Sequence, residues 1–324
     1  MRFPSEQISY ILEHKYQVIR YKQSDGKIRE GYFPKAGGPD KMDVVPGTHA
    51  SADFLAHLAF NHFVLNVPYY REMYRLSDHR MSLSRMTLIN WLAKGASFTS
   101  SLIGSLKDRV MVKDSIINCD ETWCKVKVNG HFMRKYIWCL VNKERKIVIY
   151  CYEDGSRGRK VLRKILEDRE VKALQSDGYN VYMYIDKELV DTEHLCCLAH
   201  SRAKFVYAYE QGGDLDAKYI IDCFGELYRF GDTAYLNDSR YDIDNSIAER
   251  LFRPLEGKRK NSLFFAGSRM ANVSAAYHTL LSTCRMNGLS ALEYLKKFFR
   301  EVVNSRRDYE NLLPMTIGLN TNKH

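Results

Sequence analysis

The chain has 324 residues, of which 45% are hydrophobic and 12% aromatic, and it carries a formal net charge of +10. This length allows two or three domains, and this hydrophobic content excludes a disordered chain. No apolar run approaches the ~18 residues of a membrane span, and the N-terminus lacks a signal-peptide core, so no membrane partner is expected. The basic excess favours a polyanionic partner, most simply nucleic acid.

Residues 1–50 are predicted to form a small β-rich module. The runs "YQVIRY" and "IREGYF" are strand-like and flank "SDGK", in which Asp25-Gly26 is a hairpin-turn signal. "KAGGPD" and "VPGTHAS" then interrupt regular structure.

Residues 51–110 are predicted to be helical, because their apolar residues recur at helical spacing. Pro68 suits a helix start, and Ser84 suits the N-cap of a following helix. These two helices, joined by a short turn, carry Arg71, Arg75 and Arg85 and resemble a DNA-binding helix-turn-helix. The alternative is an ordinary helical pair with solvated arginines.

Residues 111–290 change to an α/β order. "SIINCDETWCKVKV", "KYIWCLV" and "KIVIYCYE" predict an antiparallel three-strand meander. A helix at "GRKVLRKILED" and two more strands at "VKALQ" and "EHLCC" complete a predicted mixed sheet flanked by helices. A helical insertion is expected at about 201–243, and a C-terminal helix and tail at 291–324.

Three carboxylates stand out in this region. Asp120 lies inside a predicted strand, where aspartate is depleted because burial opposes its charge. Asp177 follows a predicted strand at the sheet edge where ligands bind in open α/β folds. Glu249 lies on a later helix. Two strand carboxylates and one helix carboxylate can hold a pair of divalent cations for phosphoryl transfer.

Each carboxylate also has a purely structural interpretation. Asp177 before Gly178 is a common turn pair, and Ser246 with Glu249 has the spacing of a capping box. Glu121 is expected on the opposite strand face from Asp120, as a salt-bridge or solvent group.

The eight cysteines form no Cys-x-x-Cys pair and mostly lie in apolar segments, which predicts reduced, buried thiols in a cytoplasmic protein. "CCLAH" holds Cys196, Cys197 and His200, but it lacks the second ligand pair of a usual zinc site. Structural roles are therefore expected for both cysteines. His200, followed by Arg202 and Lys204, suits a phosphate-facing helix start.

Basic residues also cluster after Glu249, which fits a surface that follows a DNA backbone, although such runs are often only solvated. Asn245 and Arg253 share a helix face with Glu249 and are assigned to the same surface. The predicted DNA-binding set is Arg71, Arg75, Arg85, His200, Arg202, Lys204, Asn245, Arg250, Arg253, Lys258, Arg259 and Lys260.

Six motifs then occur in order: "CDETW", "LQSDGY", "CLAHSRAKF", "DNSIAERLFRPL", "GKRKNSLFFAGS" and "LLPM". Over roughly residues 50–315 they resemble the transposases of the insertion sequence 66 family, a bacterial branch of the DDE transposases. The resemblance implies a ribonuclease H-like catalytic domain over 111–290. Its acidic triad would fall on Asp120, Asp177 and Glu249, which would bind Mg²⁺ or Mn²⁺, with two ions expected.

The resemblance also implies an activity, namely cleavage of a phosphodiester at the element end and attack of the freed 3′-OH on target DNA. It implies double-stranded DNA as partner, a homo-oligomer on DNA, helper proteins of the element, and a bacterial, nucleoid-associated location. A DNA-binding remnant that no longer cuts and a structure-selective nuclease on the same fold are the alternatives.

The front of the chain departs from the family. Relatives look longer there, with a coiled-coil segment and a cysteine-bearing zinc module. Residues 1–45 resemble only the tail of that module and contain no cysteine. A front-shortened or divergent form, without zinc, is therefore expected.

Overall fold

The structure, a computed structural model, describes residues 16–22, 28–34, 44–167, 169–182, 191–230 and 238–320. Near the N-terminus, strands β1 (Tyr16–Lys22) and β2 (Ile28–Pro34) pair antiparallel. The predicted turn at Asp25-Gly26 lies outside the described residues, so the small β-rich module as a unit stays a prediction.

Four helices follow, in the region predicted to be helical. They are α1 (Ala52–Phe63), α2 (Tyr69–Asp78), α3 (Arg85–Ser97) and α4 (Ser100–Val110). Pro68 precedes α2 as expected. Ser84 caps α3, since its hydroxyl oxygen accepts the backbone N–H of Thr87 at 3.0 Å.

A five-stranded mixed sheet lies at the centre of the described chain. Its strands are β3 (Ile116–Val128), β4 (His131–Asn142), β5 (Ile147–Cys151), β6 (Ala173–Ser176) and β7 (Glu193–Cys196). The order is β5-β4-β3-β6-β7, with β3, β4 and β5 antiparallel and β6 and β7 parallel to β3. The predicted mixed α/β sheet is confirmed, and this order is consistent with a ribonuclease H-like fold.

Helices make up the rest of the described chain. Helix α5 (Arg159–Leu166) links β5 to β6, and α6 (Leu198–Gly212) and α7 (Leu215–Phe230) follow β7. Next come α8 (Ser246–Ser262), α9 (Ser268–Met286), α10 (Ala291–Val303) and a 3₁₀ turn (Tyr309–Asn311). In the part that the structure describes, none of these helices has the length and apolarity needed to cross a bilayer.

The two faces of the sheet are covered by different helices. One face packs against α8 and α9, with Val126, Tyr150 and Leu251 in a shared apolar cluster. On the other face, Cys119 and Leu162 belong to a larger cluster that α4 and α5 help to form. Strand β3 pairs with a strand on each side, and both of its faces pack against helices. A side chain on β3 is therefore held in a fixed position.

The larger cluster also joins helices that are far apart in sequence. Leu92 of α3, Tyr277 of α9 and Phe298 of α10 are fully buried in it, and the Tyr277 hydroxyl donates to the Leu92 carbonyl at 3.1 Å. Helices from both sides of the predicted boundaries at 110 and 290 therefore share one core. The boundaries themselves stay predictions.

Candidate active site

Asp120 lies in the middle of β3, opposite Cys139 of β4. Successive strand residues point to opposite faces, so Asp120 shares a face with Asn118 and Thr122. Both of these neighbours bond to α8, since Asn118 donates to Asn245 at 3.0 Å and Thr122 accepts from Arg259 at 3.4 Å. Asp120 is therefore on the face of the sheet that α8 covers.

Asp177 follows β6 directly, on the parallel neighbour of β3. Asn118 is opposite Gln175 in this pair, an offset of 175 − 118 = 57 residues, and the two side chains are hydrogen-bonded at 3.0 Å. Asp120 and Asp177 have the same offset, 177 − 120 = 57. This register brings Asp177 near Asp120, and the negative charge of Asp177 contributes to the raised pKa of Asp120. Asp177 also stabilises the turn after β6, because its Oδ1 accepts the Tyr179 N–H at 2.9 Å.

Glu249 lies in the first turn of α8, whose start is fixed against the sheet. The Asn245 amide donates to the Cys119 carbonyl at 2.8 Å, and Gln175 donates to the Asp242 carbonyl at 2.7 Å. These bonds join β3, β6 and the approach to α8 through buried groups. The three predicted carboxylates are thus carried by elements that are hydrogen-bonded to one another.

The capping box that the spacing of Ser246 and Glu249 allowed is not formed. Helix α8 begins at Ser246 with Asn245 at the N-cap, so Ser246 is already inside the helix. The Ser246 N–H is satisfied by Asp244 Oδ1 at 2.9 Å. Glu249 is exposed and, together with Asp120, lines a cleft of about 490 Å³.

The electrostatics of this cleft favour a cation. Burial, together with the negative charges of Glu121, Asp177 and Glu249, raises the pKa of Asp120 from an ordinary value of 3.8 to about 7, against a hydrogen bond from the Glu121 N–H that lowers it. The same N–H donates to Asp120 Oδ1 at 2.8 Å. A carboxylate that is destabilised by its carboxylate neighbours gains free energy when a divalent ion binds. The donor set therefore fits Mg²⁺.

The three carboxylates are not packed into a single-ion cluster. In the described ranges, the one group of at least three potential ligands whose atoms all lie within 4.8 Å of one another is Cys197, His200 and Glu249. Glu249 Oε1 lies 3.7 Å from His200 Nδ1. A wider spacing of Asp120, Asp177 and Glu249 is compatible with two ions, since such pairs are about 3.5–4 Å apart.

Several predicted DNA-binding residues face solvent, and two of them line this cleft. Arg250 and Arg253 are exposed and line it together with Asp120. Lys204 on α6 and Lys260 on α8 are exposed, Arg202 is partly exposed, and His200 is exposed beside Glu249. On α2 and α3, Arg71 and Arg85 are exposed, whereas Arg75 is ion-paired with the buried Glu72 at 2.6 Å.

Two of the predicted DNA contacts are wrong. Asn245 is fully buried, and its amide is hydrogen-bonded to Asn118 and Cys119. Lys258 is 4% exposed, with its Nζ 3.6 Å from the centre of the Phe63 ring. Burial lowers the pKa of Lys258 well below its usual range, and its amine has no hydrogen-bond partner in the described structure. Neither side chain can reach a DNA backbone.

Arg259 is committed within the protein. Its guanidinium lies 4.3 Å from the centre of the Trp123 ring and donates to the Trp123 carbonyl at 2.9 Å. It thus holds the end of α8 against β3, and only 23% of its side chain remains exposed for DNA.

Glu121 occupies the opposite face of β3, as expected, but it is buried rather than solvated. Arg157 Nε donates to it at 2.5 Å, and the Tyr182 hydroxyl donates to it at 2.7 Å. Arg157 also lies 3.9 Å from the centre of the Tyr179 ring. The sequence offered no sign of these partners, because Arg157 and Tyr182 lie in separate connecting segments.

Comparison with known proteins identifies the family of this chain and two similar proteins. The sequence model described as "Transposase IS66 family" matches residues 47–234, more than half of the chain. The chain belongs to that family. The match includes Asp120 and Asp177 and ends before Glu249. The resemblance of the sequence motifs to the insertion sequence 66 family is thereby confirmed.

Two curated proteins from Sinorhizobium fredii (strain NBRC 101917 / NGR234) are similar to this chain. The uncharacterized protein y4qI is 23% identical over 80% of this chain and 61% of its own length. The uncharacterized protein y4jD is 20% identical over 85% of this chain and 68% of its own length. The chain thus spans about three fifths of the length of y4qI.

Proposed function

We propose that this chain is a DNA transposase that cleaves phosphodiesters at the ends of its element and transfers the freed strands to target DNA. Membership of a DDE transposase family supports a phosphoryl-transfer enzyme. The proposal rests most on the cleft that Asp120 and Glu249 line together. In this cleft, burial and neighbouring carboxylates raise the pKa of Asp120.

Asp120, Asp177 and Glu249 would hold Mg²⁺, with Mn²⁺ as a substitute, and two ions would fit. When bound, the ions supply positive charge to the attacking and leaving oxygens of the phosphoryl group. Asp120 Oδ must lose its proton to take part. Since its pKa is about 7, that proton leaves readily near neutral pH or when a cation arrives.

Arg250 and Arg253 would hold the DNA backbone beside the carboxylates, since both are exposed and line the same cleft. Their guanidinium groups can pair with phosphate oxygens through two hydrogen bonds at once. The buried bonds of Asn118 and Asn245 would keep the start of α8 in place while DNA binds. A homo-oligomer in the bacterial cytoplasm, pairing two DNA ends, is the expected working form.

The test is incubation of the protein with labelled DNA that carries the element ends, with Mg²⁺, Mn²⁺ or EDTA. We expect metal-dependent nicks and joined strand-transfer products. Glu249→Gln should abolish them, while Glu293→Gln, a matched change at an exposed glutamate in the first turn of α10, should not. Binding without nicks would favour a DNA-binding remnant, and nicks without joined products would favour a nuclease.

A further inference from the structure

Glu249 also belongs to a second group of potential ligands, with Cys197 and His200. Their ligand atoms all lie within 4.8 Å of one another, and His200 Nδ1 is 3.7 Å from Glu249 Oε1. The mixture of thiol, imidazole and carboxylate differs from the all-oxygen set of the proposed catalytic site. This difference in ligand type points to a different ion.

The backbone brings the three side chains together without help from an ion. Cys197 is the N-cap of α6, directly after β7, and His200 lies one turn further. The Leu198 N–H donates to the Ile243 carbonyl at 3.0 Å, which ties the start of α6 to the segment before α8. The Asn245 N–H donates to Cys197 Sγ at 3.2 Å. The same contacts therefore hold all three ligands in place.

The spacing suits a tetrahedral ion. Zinc bonds of about 2.0–2.3 Å place neighbouring ligand atoms roughly 3.3–3.8 Å apart. The 3.7 Å between His200 and Glu249 already falls in that range. Three protein ligands leave one position open, as in zinc sites that exchange a ligand.

The burial of the three groups also suits an ion that enters from solvent. Cys197 is 1% exposed, whereas the His200 and Glu249 side chains are 44% and 48% exposed. Burial raises the pKa of the Cys197 thiol, against hydrogen bonds from backbone N–H groups, so a bound ion would have to displace its proton. Mg²⁺ requires oxygen ligands, so a thiolate selects a softer ion such as Zn²⁺.

We propose that Cys197, His200 and Glu249 bind one Zn²⁺, and that this ion competes with Mg²⁺ for Glu249. The binding itself rests on the geometry of the three residues. The competition rests also on the proposed function, in which Glu249 serves the catalytic ions. Zinc would hold Glu249 against α6 and leave the catalytic site one ligand short, which is a reversible form of inhibition. The sequence had led us to expect no zinc.

Binding can be tested with Co²⁺ as the probe, on the purified, metal-free full chain. We expect one Co²⁺ per chain with the absorption of a cobalt–thiolate bond. Cys197→Ser should remove that absorption and weaken binding at least about tenfold. Cys196→Ser changes the exposed neighbouring thiol and should alter neither property.

His200→Ala gives a second test at an exposed position, in case Cys197→Ser does not fold. It should also weaken Co²⁺ binding at least about tenfold. The proposal is overturned if the wild type shows no cobalt–thiolate absorption, if Cys196→Ser removes it instead, or if His200→Ala binds Co²⁺ as tightly as the wild type.

Competition can be measured without any cleavage assay, from the magnetic resonance signal of free Mn²⁺. Adding Zn²⁺ to the Mn²⁺-loaded wild type should release Mn²⁺, and Cys197→Ser should need at least about tenfold more Zn²⁺. Equal release in both proteins would contradict the competition. A wild type that binds Co²⁺ through thiolate but no Mn²⁺ would contradict the proposed function and the competition, and would leave the zinc site standing.

Discussion

The two faces of β3 carry adjacent carboxylates, Asp120 and Glu121, with opposite surroundings. Glu121 is buried but compensated, since Arg157 and the Tyr182 hydroxyl both donate to it. Asp120 is also largely buried, yet the charges that shift its pKa most are the negative charges of Glu121, Asp177 and Glu249. Burial raises the pKa of both groups, but only at Glu121 do an arginine and a hydroxyl lower it again.

A buried carboxylate is therefore not by itself a sign of function. Glu121 has the partners of a structural ion pair, which joins β3 to the connecting segments around Arg157 and Tyr182. Asp120 has the surroundings of an ion-binding group, because its negatively charged neighbours destabilise its carboxylate and a bound cation would offset their charge. Four predictions test this difference between Asp120 and Glu121, in decreasing order of expected effect.

The largest effect is expected at Asp120. Asp120→Asn should lower DNA cleavage at least about 1,000-fold, because it removes a proposed metal ligand whose charge acts on the reacting phosphate. Glu121→Gln should cut at a rate within about tenfold of wild type once folded. Metal-dependent cleavage, measured beside circular dichroism of each variant, checks both. Near wild-type cleavage by Asp120→Asn would make its assignment wrong.

The second effect concerns stability rather than cleavage. Arg157→Gln should lower the free energy of unfolding by about 3 kcal/mol at pH 8, because it leaves the Glu121 charge buried without its cation. The loss should shrink as pH falls and Glu121 is protonated. Urea unfolding at pH 8 and pH 5 measures it. The double change with Glu121→Gln should recover part of the loss, and no recovery would mean that Arg157 acts elsewhere.

The third effect is a pH dependence that Asp120 should give to the metal-free protein. Its folded pKa is raised to about 7 from 3.8, so the folded state binds the proton more tightly than the unfolded state. A shift of that size corresponds to about 4 kcal/mol, and the partial solvent exposure of Asp120 reduces it. Stability should therefore fall by about 2 kcal/mol as pH rises between those values. Asp120→Asn should remove this part of the slope, and Mg²⁺ should restore stability at pH 8 in the wild type alone. Equal slopes in both proteins would contradict the raised pKa.

The smallest effects are expected at two cationic side chains of α8, the exposed Arg253 and the buried Lys258. Arg253→Gln should weaken DNA binding and lower the salt slope by about one, as expected for one phosphate contact. Lys258→Met should leave the slope unchanged and raise stability by about 1 kcal/mol, because it replaces a buried, unpaired amine. DNA affinity at several salt concentrations and urea unfolding separate the two. A lower slope for Lys258→Met would place Lys258 at the DNA surface after all.

Much of the fold follows from local patterns. The three strand-like runs and the helix at Val161 and Leu162 are present as predicted, because their apolar periodicity matches the faces that the structure buries. Asp120 could be singled out because a carboxylate inside an apolar strand needs a reason. The offset of 57 residues between Asp120 and Asp177 could not be read as a register until the parallel pairing of β3 and β6 was known.

The errors on α8 came from treating a basic run as a surface. Leu251, Leu255 and Lys258 are spaced at i, i+4 and i+7, so helical periodicity already placed Lys258 on the buried stripe. Asn245 and Ala248 continue that stripe toward the start of the helix. Cys197 and His200 could not be linked to Glu249 from spacing, because the third ligand comes from a helix about fifty residues later, and only the tertiary fold brings them together.

The most direct test of the central claim is the position of Mn²⁺ in crystals of the protein, located by anomalous diffraction. We expect Mn²⁺ bound by Asp120, with Asp177 or Glu249 as a further ligand, and no Mn²⁺ at Glu121. Crystals of Asp120→Asn should lose the ion. Mn²⁺ absent from Asp120 in crystals soaked at saturating concentration would contradict the account.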